Sequence, residues 1–142
     1  MREIHVETDI AAPCGRVWSV LTDFAAYPDW NPFITRLEGE AREGARLTVR
    51  IHPPGGRAMT FRPTVLAAVP GRELRWLGHL LVPGLFDGEH AFRLEPRGAE
   101  GCRLVQEERF RGLLVPLLGR ALAQTRKGFE AMNQALKERA EG

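Results

Sequence analysis

From Ile34 to Gly112 the chain is cut into short segments by five turn signals: Arg42-Glu43-Gly44, Pro53-Pro54-Gly55-Gly56, Pro70-Gly71, Pro83-Gly84 and Arg97-Gly98-Ala99-Glu100-Gly101. Each pairs glycine with proline or with charged residues, the chemistry of tight turns. The segments between them, 34–41, 45–52, 57–69, 72–82, 86–96 and 102–111, alternate apolar and polar residues or are rich in β-formers. They read as strands. None of the links can hold the long crossover that a parallel pair needs, so neighbouring strands are predicted to run antiparallel. A seventh strand opens the chain, where Ile4, Val6, Thr8 and Ile10 alternate with His5, Glu7 and Asp9. Ala12-Pro13 then stops it, with proline suited to the first turn of a helix that carries Val17, Trp18, Leu21 and Phe24. A second short helix is predicted over 23–32, ending at Asn31-Pro32.

The period changes after Gly112. Leu114, Leu118, Leu122, Thr125, Phe129, Met132 and Leu136 recur at steps of three and four, one apolar stripe along a helix predicted over 116–139. A sheet with one apolar face must be covered, and this helix is the only one long enough. The expected fold is therefore α+β: one seven-stranded antiparallel sheet curled around a long C-terminal helix, with two short helices after strand 1, in a single domain over 1–142.

Composition excludes several classes. Net charge is +2 from 20 basic and 18 acidic residues, spread along the chain, which argues against a nucleic-acid partner. No apolar run reaches the ~18–20 residues of a membrane span, so no stable membrane insertion is expected. The first residues alternate instead of forming a signal peptide, and two cysteines, Cys14 and Cys102, are too few for a disulfide framework. A reducing cytoplasm is the expected compartment. Neither cysteine has metal-site spacing, and His52 and His79 lie on different strands without a third ligand, so no metal is expected. No Gly-x-Ser-x-Gly elbow or phosphate-cradling glycine loop is present, and no cofactor is implied.

Strand phase gives the inward residues. They are Leu47, Val49 and Ile51; Met59, Phe61, Val65, Ala67 and Val69; Leu74, Trp76, Gly78 and Leu80; Phe86, Gly88, His90, Phe92 and Leu94; and Cys102, Leu104, Gln106, Glu108 and Phe110. Centring the hairpin turns sets Trp76 opposite His90, His90 opposite Glu108, Phe92 opposite Gln106 and Gly78 opposite Gly88. One inward row then reads Val65, Trp76, His90, Glu108. A histidine and a glutamate on an apolar face carry a large desolvation cost unless paired. The pair is either structural, stiffening the sheet, or the polar anchor or acid/base pair of a cavity. Trp18 and Trp30 read as packing residues, and Gly119 and Gly128 in the long helix read as sites of close packing.

Several motifs resemble the START/polyketide-cyclase-like (SRPBCC) superfamily of helix-grip proteins. They are Ala12-Pro13 with Val17-Trp18, Tyr27-Pro28-Asp29-Trp30-Asn31-Pro32, Gly71-Arg72-Glu73-Leu74-Arg75-Trp76, Gly88-Glu89-His90-Ala91-Phe92 and Gln106-Glu107-Glu108-Arg109-Phe110-x-Gly112. The resemblance spans essentially the whole chain and implies a hydrophobic ligand held between sheet and helix. It leaves function open, because the superfamily mixes carriers, cyclases, receptors and chaperone regulators. The leading expectation is binding or transport of a small hydrophobic ligand, such as a lipid or polyketide. Trp76, His90, Phe92, Glu108, Phe110, Phe61, Val49, Leu122, Phe129 and Met132 would contact it, with Leu47 beside them. The alternative is a cyclase or dehydratase in which His90 and Glu108 move a proton on a bound polycarbonyl chain. The sequence decides neither catalysis nor oligomeric state.

Overall fold

The computed structural model describes residues 2–80 and 83–142. In chain order its elements are β1 (Arg2–Ile10), α1 (Cys14–Thr22), a 3₁₀ turn (Phe24–Ala26), α2 (Tyr27–Trp30), β2 (Ile34–Glu38), β3 (Thr48–Ile51), β4 (Met59–Phe61), β5 (Thr64–Val69), β6 (Glu73–Leu80), β7 (Phe86–Pro96), β8 (Cys102–Arg111), a second 3₁₀ turn (Val115–Leu117) and α3 (Gly119–Glu141). Of the strand predicted over 72–82, positions 81 and 82 and the Leu80 side chain lie outside the described residues.

Every strand pair is antiparallel. The predicted single seven-stranded sheet is corrected in one respect. Among the described residues there are eight strands in two sheets, ordered β1-β8-β7-β6-β5 and β2-β3-β4. The extra strand arises because the segment 57–69 divides at Arg62-Pro63. Proline has no N–H to give a ladder, so pairing stops there and the chain passes from the small sheet to the large one. The sheets remain joined beside this point. The Leu47 N–H donates to the Pro63 carbonyl (2.9 Å) and the Val65 N–H to that of Ala45 (2.8 Å).

Side-chain phase survives this change. Trp76 opposes His90, Gly78 opposes Gly88, His90 opposes Glu108 and Phe92 opposes Gln106, as the hairpin turns dictate. Val65 opposes Trp76, but a bulge before Ala67 then reverses the phase: Ala68 opposes Leu74 and packs on the core, and Val69, expected inward with Ala67, is exposed. The large sheet thus presents a continuous inward face, and Leu74, Phe92 and Leu104 on it are fully buried with Phe129, Met132 and Leu136 of α3.

The long helix begins at Gly119, three residues later than its periodicity suggests. Pro116 sits in the separate 3₁₀ turn, and Leu118 has non-helical dihedrals (φ −112°, ψ 25°) between the two. The first α-type bond of α3 runs from the Leu122 N–H to the Leu118 carbonyl. Its 23 residues span about 34 Å. No described helix is long and apolar enough to cross a membrane.

Two further features position the site. Asn31 ends α2 by accepting the Phe33 and Ile34 N–H groups on its Oδ1 (2.9 Å each), which turns the chain into β2. Cys14, the first residue of α1, is joined in a disulfide to Cys102, the first of β8, with α-carbons 5.0 Å apart. Two cysteines, too few for a disulfide framework, are thus joined in a single bond. Ile10 pairs with Cys102 in the β1–β8 ladder, and Ala12-Pro13 turns Cys14 back over the same spot.

Candidate ligand cavity

The curl of the two sheets leaves a cavity of about 200 Å³ against the first turns of α3. The large sheet contributes Trp76, Gly78, Phe86, Gly88, His90, Glu108 and Phe110; the small sheet contributes Ile34, Val49, Ile51, Met59 and Phe61. Leu118, Ala121, Leu122 and Thr125 close it from the helix side, with Phe33 beside them and His79 at its edge. The wall is overwhelmingly apolar; His90 and Glu108 of one sheet row are its inner polar groups, with Thr125 on the helix side and His79 at the edge.

Seven of the ten contact residues expected from sequence line this space: Val49, Phe61, Trp76, His90, Glu108, Phe110 and Leu122. Phe92, Phe129 and Met132 do not. All three are fully buried, as is Leu47. Phe92 and Phe129 instead hold the His90 imidazole, with ring centroids 4.5 Å and 4.7 Å away, while the Trp76 indole lies at 5.1 Å. Inward phase marks a side chain as interior but does not say whether it meets the cavity or the core behind it. Phe86, Leu118 and Thr125, placed inward by strand and helix phase, also line the cavity, whereas Phe33, Ile34 and Ala121 are cavity residues that phase did not single out.

The facing glycines have a specific use. A Cβ on Gly88 would stand 2.3 Å from Glu108 Oε2, and one on Gly78 would press on the Phe61 ring at 3.2 Å. The glycines therefore make room for a carboxylate and an aromatic ring, which then face the cavity.

His90 is 3% exposed, and it is anchored on one side only. Its Nε2 lies 2.9 Å from Gln106 Oε1. Gln106 in turn donates from Nε2 to Asn133 Oδ1 on α3 (2.7 Å), and Asn133 Nδ2 donates to the Val6 carbonyl (3.5 Å). On the other side, His90 Nδ1 lies 3.4 Å from Glu108 Oε1. Gln106 is the diagonal neighbour of His90 across the ladder, a position long side chains reach. Both Gln106 and Asn133 are fully buried. Trp76 is 1% exposed, and its indole N–H has no hydrogen-bond partner. That nitrogen is itself buried, as is the equally unpartnered indole nitrogen of Trp30, and leaving such a donor unpaired costs roughly 1–3 kcal/mol.

Other charged groups lie outside the cavity. Asp87, at its edge, hydrogen-bonds His79 (2.7 Å) and accepts the Gly84 N–H, and these contacts hold its carboxyl below the usual range. Burial pushes the Tyr27 phenol well above its ordinary value, and that hydroxyl donates to the Leu21 carbonyl. On the outer face, Glu3, His5 and Glu107 bring ligand-type atoms within 4.8 Å of one another. These groups are already engaged: Glu3 by Arg109 (3.4 Å), His5 by Glu7 (2.7 Å), and Glu107 by Arg93 and His5. The cluster reads as a surface ion-pair network.

The family model for polyketide cyclase/dehydrase and lipid transport proteins matches residues 1–141, and the chain belongs to that family. No curated protein matches it by sequence. Among solved structures, the Zhui aromatase/cyclase from Streptomyces sp. R1128 is similar over 99% of this chain and 93% of its own, with a TM-score of 0.81 at 20% identity. A START superfamily protein from Mycobacterium smegmatis is similar over 98% and 97%, with a TM-score of 0.76 at 21% identity. A norcoclaurine synthase from Thalictrum flavum, solved with a transition-state analogue, is similar over 98% and 93%, with a TM-score of 0.74 at 15% identity. At these identities the likeness establishes the fold.

Proposed function

We propose that this protein binds a small hydrophobic molecule carrying at least one polar group, held between the two sheets and α3. The observation that carries this reading is a cavity of about 200 Å³ whose wall is almost wholly apolar and is interrupted by the His90 and Glu108 side chains. The space is suited to one or two fused rings, since a dry cavity of about 150 Å³ already holds benzene. Apolar walls supply the affinity and the few polar groups fix orientation.

A second reading rests on His90 and Glu108. They lie 3.4 Å apart in the cavity wall, with His90 stacked and anchored from behind. That arrangement suits proton transfer on a bound carbonyl compound, the chemistry of a cyclase or dehydratase, with the cavity holding the chain folded for reaction. The family description covers both roles.

The test is gentle extraction of the purified protein followed by mass spectrometry, together with calorimetric titration of bicyclic aromatic probes. The expected result is a co-purified or titratable ligand whose binding is blocked when Gly78→Leu fills the wall opposite Phe61. Absence of any bound molecule, together with no saturable probe binding, would overturn the reading.

A further inference from the structure

The direction of the hydrogen-bond chain behind His90 decides what the cavity asks of its ligand. The chain ends on the Val6 carbonyl, which can only accept. Asn133 must therefore turn its amide nitrogen to Val6 and its oxygen to Gln106. Gln106 then turns its nitrogen to Asn133 and its oxygen to His90, and His90 Nε2 must carry a proton. The neutral imidazole is thereby fixed with Nδ1 bare, facing Glu108 Oε1.

This fixes the other carboxylate oxygen as well. Glu108 Oε2 lies over the Gly88 α-carbon, in the cavity wall. If Glu108 is ionised, Oε2 accepts. If Glu108 holds a proton, that proton goes to Oε1, where the bare Nδ1 receives it, and Oε2 again accepts. The opposite tautomer would place an N–H against Oε1 and drive any carboxyl proton to Oε2, making it a donor. Where Glu108 holds a proton, the Asn133–Gln106 relay thus keeps Oε2 the accepting oxygen.

We propose that the cavity selects hydrophobic ligands bearing a hydroxyl or N–H donor. Glu108 Oε2 accepts that donor. Gln106 and Asn133 are positioning residues for this selection. A phenol meets this demand, whereas an aryl ether or a ketone without a donor does not. The inference rests on the cavity reading above and narrows its ligand class.

Two measurements on the whole protein test it. Nitrogen-15 NMR of the histidine rings, assigned with a His90→Gln control, reads the tautomer without any ligand. The expected result is a proton on Nε2 of neutral His90, lost as the dominant form in Gln106→Met. A neutral ring protonated on Nδ1 would overturn the relay. Calorimetry then compares 2-naphthol with 2-methoxynaphthalene, which keeps the rings and the oxygen but lacks the donor. Wild-type protein is expected to bind the naphthol about tenfold or more tightly than the ether. In Glu108→Met that preference should collapse while both probes still bind. Equal binding by the wild type overturns the donor rule and leaves the cavity reading standing. No binding of either probe overturns both. A preference that survives in Glu108→Met overturns the assignment to Glu108, and the wild-type comparison stands without that variant.

Discussion

Gly128→Ala tests how tightly α3 is seated and what lies beside it. In an exposed helix this change would stabilise by about 0.8–1 kcal/mol, because alanine is the better helix former. Gly128 is buried, however, and a Cβ there would stand 2.3, 2.6 and 3.0 Å from Cδ1, Cε1 and Cγ of Phe33. Ordinary contact begins near 3.4 Å, so the ring must retreat by about 1.1 Å. Phe33 is 2% exposed and packs edge-to-face on Phe129 at 5.5 Å, which blocks one retreat. The open space it borders is the cavity. Overpacking of this kind costs about 1–3 kcal/mol, which exceeds the propensity gain. The expected net loss in urea unfolding is about 1 kcal/mol, a Tm decrease of about 2–4 °C for a chain of this size. Weaker binding of 2-naphthol should accompany it, as the ring enters the cavity. Adding Phe33→Leu should remove the clash, and the double variant should be more stable than the two single losses predict. A Gly128→Ala protein as stable as wild type, with unchanged probe affinity, would refute the reasoning.

Three further outcomes follow from contacts already described. Thiol titration of the unfolded, unreduced protein should find no free thiol, and Cys14→Ala/Cys102→Ala should lower stability by up to roughly 4–5 kcal/mol, because the bond closes an 88-residue separation in the unfolded chain. Two titratable thiols before reduction would contradict this. Gly88→Ala should fold with near-wild-type stability, since the group it meets is the far end of the Glu108 side chain, yet lose the preference for 2-naphthol because the carboxylate is pushed aside; an unchanged preference would count against the site. Asp87 has its folded-state carboxyl held low by His79, so the unfolded chain binds more protons; its contribution is present above about pH 4 and is lost as pH falls through the lower folded value. Asp87→Asn should therefore cost at most about 1 kcal/mol near pH 6, and the gap to wild type should close in acid; a gap that widens toward pH 2.5 would contradict the assignment.

What the sequence disclosed follows the range of the forces involved. Strand existence, antiparallel pairing and the register that sets Trp76, His90 and Glu108 in one row depend on turn chemistry and the two-residue period, both local. The division at Pro63 was written in the chain too, since a proline within a predicted strand signals an edge or an end. Contacts between elements were not legible. Gln106 could be placed inward, but its diagonal bond to His90 and its reach to Asn133 depend on where α3 crosses the sheet. Cys14 and Cys102 are 88 positions apart, and only the β1–β8 ladder and the turn at Ala12-Pro13 bring them together. That link also bears on the expected compartment, because disulfides persist where the surroundings are oxidising.

The same distinction separates core from cavity. Phe92 and Phe61 share inward phase on their strands, yet one is fully buried behind His90 and the other lines the open space. The difference is made by Gly78. Its missing side chain lets the Phe61 ring lie across the sheet, while Phe92 meets Trp76 at 5.5 Å and His90 at 4.5 Å. Gly88 does for Glu108 what Gly78 does for Phe61. Two residues without side chains therefore set where the wall ends and which carboxylate oxygen a ligand meets. Phase shows which residues point inward, but the small residues opposite them decide which reach the ligand.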